Sequence, residues 1–236
     1  MKLPFNYAVQ ITLILFSANA CINFAKAQLP DGYKGLPYKD SVYKGNKLNP
    51  VGAQMIPGRV ELAYYDLGGE GIAYHDNNSK NEGALLNEKN GELRPGISEY
   101  AACFRKDEGV DINYTKDIVD FNHSNKVDPK VNQLYPGWQE EGEWTNYTVY
   151  VNHEGKYIIY TVYSSIDNKP AELWLNNEFA CRLTFPEKTG DLHYWTQSEV
   201  GTIIFPHKGL YLLTVKYSSG VNYGYLDFLY NAARQN

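Results

Sequence analysis

The sequence predicts an all-β fold, a two-layer sandwich or a closed barrel. Three observations lead there. From Glu143 to Tyr230, short strand-like segments follow one another, each bounded by turns containing Gly, Pro, Asn or Asp. Tyrosine is unusually frequent, at 21 of 236 residues, beside nine Phe and four Trp, and aromatic side chains fit a pleated surface. No segment sustains a helical apolar period with a cap at each end.

The elements follow in order. Gln28 to Met55 is rich in Gly, Pro, Lys and Tyr with little periodicity, so it predicts an extended arm that lies on the domain or hangs free. Ile56-Pro57-Gly58 is a turn, and Arg59 to Tyr65 reads as the first strand of a domain spanning 56–236. Gly68-Gly69-Glu70-Gly71 makes a loop before Ile72 to Asp76. Asn77 to Arg105 is polar and too long for a hairpin turn. Gly109 to Ile112 resumes a strand pattern, a second polar stretch runs from Lys116 to Gln133, and Tyr135-Pro136-Gly137-Trp138 closes it with a turn. Regular strands then follow at Glu143–Asn152, Lys156–Ser164, Ala171–Leu175, Ala180–Phe185, His193–Phe205, Leu210–Tyr217 and Tyr223–Tyr230. Strands so short and so spaced are those of sandwiches and barrels.

The first 27 residues predict an export signal. Lys2 is followed by a mostly apolar stretch, Ala8 to Ala20, and by Ala25-Lys26-Ala27 as a small-x-small cleavage pattern. The stretch is shorter than the ~20 apolar residues a membrane span needs. Cys21, after Ala18-Asn19-Ala20, offers a lipoprotein alternative. The expected location is secreted, periplasmic or on the cell surface. Loss of Lys2 and Lys26 takes the net charge from −5 to −7, which argues against nucleic acid and anionic membrane as partners. Two cysteines remain, Cys103 and Cys181, which could form a disulfide in an oxidising compartment.

No catalytic signature is present: no Gly-x-Ser-x-Gly elbow, no phosphate loop and no His-Glu-x-x-His. Glu140, Glu141 and Glu143 could serve a glycosidase, but neighbouring acids on one strand point to opposite faces rather than across a bond. They read as solvated loop acids, with Glu140 as a candidate hydrogen bonder to ligand.

Several segments together resemble the family 6 carbohydrate-binding modules. Ile56-Pro57-Gly58-Arg59-Val60-Glu61 is similar to that family's first strand, and the match continues through Tyr65-Asp66 and Gly68 to Asp76. Asn81-x-Gly83, Phe104-Arg105 and Glu108 to Ile112 resemble further family segments. So do Gly137-Trp138, Glu141-Gly142-Glu143-Trp144, Tyr147-Thr148-Val149, Gly155-x-Tyr157, Thr189-Gly190, Gly209, Val221-Asn222 and Tyr225 to Phe228. The insertion Ala84 to Cys103 departs from ordinary family length.

The resemblance implies a jelly roll of two antiparallel sheets that binds carbohydrate and needs no cofactor. It also implies a ligand clamp in the loops at one edge: two aromatic rings on one sugar and an Asn on its hydroxyls. Trp138 stands where the first ring is expected and Asn222 where the Asn is expected. The second ring's place holds Leu192, so His193 or Tyr194 would have to replace it. A Trp on a strand is more often core than ligand site, and Trp144, Trp174 and Trp195 read as core. Tyr74 and His75 read as loop-shaping. A structural calcium ion would draw on Glu61 and Asp227, although Ala63 stands where a second first-strand acid is expected. The expected activity is non-catalytic binding of poly- or oligosaccharide. A small jelly-roll hydrolase or lyase, and an adhesive surface protein, are the alternatives.

Overall fold

The computed structural model describes residues 28–39, 48–89, 92–93 and 98–231; the export-signal segment and Cys21 lie outside them. The strands are β1 (Gln54–Ile56), β2 (Gly58–Glu61), β3 (Tyr74–His75), β4 (Glu88–Lys89), β5 (Glu92–Leu93), β6 (Ile112–Tyr114), β7 (Leu134–Pro136) and β8 (Trp144–Val151). They continue with β9 (Gly155–Ser165), β10 (Ala171–Leu175), β11 (Glu178–Leu183), β12 (Thr196–Phe205), β13 (Gly209–Lys216) and β14 (Val221–Tyr230).

The fold is a β-sandwich. One sheet runs β1-β8-β13-β10-β11, with β3 also paired to β8, and the other runs β12-β9-β14-β2. Period-two alternation turns one row of each strand inward. Tyr147, Val149, Val151, Leu173, Leu213 and Val215 meet Val60, Ile159, Phe205, Leu226 and Phe228 in one core. The sheets are antiparallel with one departure from expectation: β1 pairs parallel to β8. The reason is local. The chain leaves β1 through Pro57 and enters β2 in the opposite sheet, and Gly58 takes the required φ of +134°.

The expected first strand, Arg59 to Tyr65, is thus β2 followed by a turn. The long polar stretch from Asn77 to Arg105 contains two one-turn helices, α1 (Glu82–Leu85) and α2 (Glu99–Ala102), and the β4–β5 pair. The helices are too short to show a period but are capped by Asn81 and Ser98. Asn81 is fully buried; its Oδ1 accepts from Ala84 N and Ile112 N, and its Nδ2 donates to Phe104 O. A third single turn, α3 (Asp117–Asp120), precedes β7, which pairs with β6.

The described part of the arm lies on the domain. Leu36 bridges Leu67, and Tyr33 Oη donates to the buried Asp66 Oδ2 (2.8 Å), which also accepts from Thr148 Oγ1 (2.6 Å). Asn176, in the β10–β11 turn, donates to Gln28 O. The arm therefore covers part of the six-stranded sheet's outer face.

Candidate functional site

Two aromatic stations emerge, one predicted and one not. The predicted station is the loop rim. Trp138 is 43% exposed on a left-handed backbone (φ +56°). Asn222 stands on β14 against Gly137, the residue before Trp138. It is 3% exposed, and its Nδ2 donates to Leu192 O (2.7 Å). A Cβ on Gly137 would stand 2.6 Å from its Oδ1. Asn222 is thus a buried strut between the Trp138 loop and the Leu192 loop, with one amide hydrogen donated to the Leu192 carbonyl.

The other predicted residues hold these loops. His193 Nδ1 faces Asp120 Oδ1 (3.1 Å), and the same oxygen accepts from Trp195 Nε1 (2.8 Å). Trp195 is buried against Tyr135, Val162 and Tyr225, as expected. Tyr194 is 44% exposed, its ring 4.1 Å from that of His123. Glu140 accepts from Asn77 Nδ2 (3.1 Å), while its own N–H donates to the buried Glu143. The structure brings Trp138, Asn222 and Leu192 together. No hydrogen bond or ring pair ties His193 or Tyr194 to the Trp138 indole among the described residues.

The second station corrects the sequence expectation. Trp144 and Trp174, expected in the core, are only partly buried and stand on the outer face of the six-stranded sheet. The inward row of β8 is taken by Thr145, Tyr147, Val149 and Val151, which puts Trp144 and Asn146 outside. Pairing through β13 sets Trp144 opposite Lys216 and Trp174 opposite Thr214. Together with Asn146 and Asn177 these residues line a hollow of about 230 Å³.

Its polar groups are ordered. Thr214 Oγ1 donates to Asn146 Oδ1 (2.5 Å), and Asn146 Nδ2 donates to Ile72 O (2.8 Å). Trp174 Nε1 donates to Glu172 Oε2 (3.0 Å), and the Lys216 ammonium lies 3.6 Å from the Trp174 ring centroid. His75 sits beside Trp144, ring centroids 6.4 Å apart. A larger hollow of about 450 Å³ adjoins it through Lys216, lined by Glu141, Gly142, Lys169, Glu172 and Ser219 among others. Sequence could have signalled this face. Trp144 shares a row with Asn146 and Thr148, and Trp174 with Glu172, whereas Tyr147 shares one with Val149 and Val151.

The acids near the rim are structural. Asp76 Oδ1 accepts from Asn78 N (2.8 Å), Asp111 Oδ1 from Glu82 N (2.5 Å), and Glu143 from Asn77 N and Glu140 N. Burial pushes Asp76 up to about 6 and Asp111 up to about 7, with neighbouring carboxylates adding to both. Burial likewise raises Glu61 to about 7.

Glu61 and Asp227, the residues expected to hold calcium, face a cation of the protein's own. They lie on adjacent strands, but Arg59 stands 4.0 Å from Asp227 and packs over Tyr225. Two carboxylates facing a guanidinium do not make the six to eight oxygens calcium takes, and the described residues hold no group of three or more His, Cys, Asp or Glu suited to a metal. Cys103 and Cys181, which could have formed a disulfide, do not form one. Cys103 ends α2 while Cys181 lies on β11, two different parts of the sandwich. Burial pushes the Cys181 thiol up to about 11.

No protein-family model matches the chain, and no curated protein matches it in sequence. Among solved structures it is similar to the carbohydrate-binding module CBM6cm-2 from Cellvibrio mixtus lichenase 5A, solved with cellotriose. Identity there is 19% over 42% of this chain and 78% of that one, with a TM-score of 0.36. The C-terminal CBM6 of LamC, a marine laminarinase from Zobellia galactanivorans, gives 20% identity over 46% and 92%, TM-score 0.38. A family 35 module from Clostridium thermocellum gives 18% over 47% and 86%, TM-score 0.37. Each overlap covers less than half of this chain. Among the described residues, no helix is long and apolar enough to cross a membrane.

Proposed function

We propose that this chain binds carbohydrate without transforming it, with the Trp144–Trp174 hollow as its principal platform and the Trp138 rim as a second contact. One observation carries the reading: two indoles on alternate strands face a single concave site that also holds Thr214, Asn177 and Lys216. A sugar presents a weakly apolar C–H face and many hydroxyls. Its partner must supply flat rings for the face and fixed donors and acceptors for the hydroxyls, in a concavity. The hollow supplies both on paired strands.

The lining favours binding over hydrolysis. Glycoside cleavage needs two carboxyl groups facing each other across the bond, about 5–10 Å apart. No carboxylate lines the smaller hollow; the larger one carries Glu141 and Glu172, and Glu172 is engaged by Trp174 Nε1 and lies 3.9 Å from Arg182. Export belongs to the same reading, on the strength of Lys2, the apolar stretch and Ala25-Lys26-Ala27.

The test is retention of the exported chain on a panel of insoluble and gel-embedded polysaccharides. At least one polysaccharide should retain the wild type, and Trp144→Ala or Trp174→Ala should weaken retention about tenfold or more, about 1.4 kcal/mol. Circular dichroism controls for folding. Trp138→Ala should have the smaller effect. If no polysaccharide is retained the reading falls, and if Trp138→Ala alone abolishes binding the site moves to the rim.

A further inference from the structure

Lys216 sits where the two hollows meet and is a lining residue of both. The acid placed directly across from it on β10 is Glu172. That carboxylate is turned elsewhere: it accepts from Trp174 Nε1 (3.0 Å) and lies 3.9 Å from Arg182. The other cation of the larger hollow, Lys169, lies 3.8 Å from Asp167. Lys216 alone among the cations around the hollows has no carboxylate within 4.0 Å among the described residues; its ammonium rests on the face of Trp174 instead. The ring holds the long side chain in place and displaces part of the ammonium's water. Its charge is left directed into open, concave space between an indole platform and hydroxyl partners. An ammonium donates to neutral hydroxyls, but its charge-assisted hydrogen bonds to an anionic group are the stronger ones.

We propose that this hollow selects a glycan bearing an anionic substituent, a carboxylate or a sulfate ester. Lys216 reads the charge, and Trp144, whose ring carries no cation, takes the face of the sugar. The larger hollow, lined by Ser218, Ser219 and Lys169 and also by Glu141 and Glu172, receives the neighbouring sugar unit. The inference rests on the carbohydrate reading above and names the ligand class for the same site.

The experiment is affinity electrophoresis of the full exported chain against matched probes. Polygalacturonate and its methyl-esterified form make the carboxylate arm; κ-carrageenan and its desulfated form make the sulfate arm. In one arm the charged form should bind about tenfold or more tightly than its neutral counterpart. That advantage should shrink as NaCl rises from about 50 to about 500 mM, because the contact is partly open to solvent. Lys216→Met, which keeps an apolar stem against Trp174, should bring the two forms within about twofold of each other by weakening binding of the charged form. The arm that responds identifies the anion. If wild type binds charged and neutral forms alike, or if the preference for charge survives in K216M, this inference is overturned while carbohydrate binding stands. If no probe of either kind, and no polysaccharide of the wider panel, is retained, the carbohydrate reading itself fails.

Discussion

Arg105 is the most exacting test of how the inserted region is tied to the sandwich. Its side chain is 4% exposed and its backbone is left-handed, at φ +49°. The guanidinium donates to the Tyr65 and Asp66 carbonyls in the turn after β2, and pairs with Glu108 through Nε–Oε1 (2.9 Å) and Nη2–Oε2 (2.8 Å). It also lies 3.3 Å from the Tyr65 ring centroid. Arg105→Met removes all of these at once and leaves two carbonyls and a partly buried carboxylate without it. Removing one partner of a buried ion pair costs about 3–5 kcal/mol. In a chain of this size each kcal/mol lowers Tm by roughly 2–4 °C, so the expected fall is roughly 6–20 °C. Arg105→Lys should recover less than half of it, because one ammonium cannot reach a carboxylate and two carbonyls with a planar fork. Thermal melts followed by circular dichroism at neutral pH measure both variants. An Arg105→Met melt within about 2 °C of wild type would refute the reasoning, since no other described residue supplies that set of contacts.

Two further outcomes follow from the buried acids and from the rim. Burial raises Glu61 and Asp111 to about 7 and Asp76 to about 6, so the folded chain binds these protons more tightly than the unfolded chain does. Their destabilising effect is absent below about pH 4, grows as pH rises and is complete above about pH 7. Urea midpoints should therefore fall from about pH 5 to about pH 8, and Asp111→Asn, which keeps an acceptor for Glu82 N, should flatten that slope; a midpoint that rises with pH contradicts the assignment. Gly137→Ala would place a Cβ 2.6 Å from Asn222 Oδ1 and 3.2 Å from the Tyr135 ring, in a site where Asn222 is already held by Leu192. Overpacking of this kind costs about 1–3 kcal/mol, and an unchanged Tm would show that Asn222 is no strut.

The second half of the sandwich was legible because its strands are long enough to alternate. Ala171–Leu175 matches its strand at both ends, and Glu143–Asn152 and Leu210–Tyr217 fall within a residue of theirs. The first half was not legible, for a physical reason. Its strands are two to four residues long, and its turns of helix are held by single side chains such as Asn81, so neither leaves a periodic trace. The site was legible in composition but not in place. Alternation shows that Trp144 and Tyr147 point to opposite sides of β8, yet not which side faces the core. The company each keeps settles it: Tyr147 stands with Val149 and Val151, and its hydroxyl reaches Leu62 O inside the sandwich (2.7 Å). The surroundings of Asn222 were not legible for the converse reason: an amide can serve ligand or backbone equally well, and the approach of Gly137 and Leu192 is a tertiary contact.

The two aromatic stations are not independent, because one short loop carries both. Trp138 begins it at the rim and Trp144 ends it as the first residue of β8, while Glu141 and Gly142 between them line the larger hollow. Six residue steps of chain span at most about 20 Å, and a folded loop less. The loop is pinned along its length. Gly137 N donates to Asp111 O, Gln139 Nε2 to Gly137 O, Glu140 N to Glu143, and Tyr217 N to Glu143 O. Glu143 is 2% exposed, so its carboxylate fastens this loop to Asn77 from inside rather than facing ligand. A rigid strap of this kind keeps the exposed indole at a fixed offset from the sheet-face hollow. A polymer lying on Trp144 and Lys216 and passing the larger hollow would be led along the same loop toward Trp138. The buried acids and amides of the rim therefore act by position: they hold the rings that the proposed binding mode sets against the sugar.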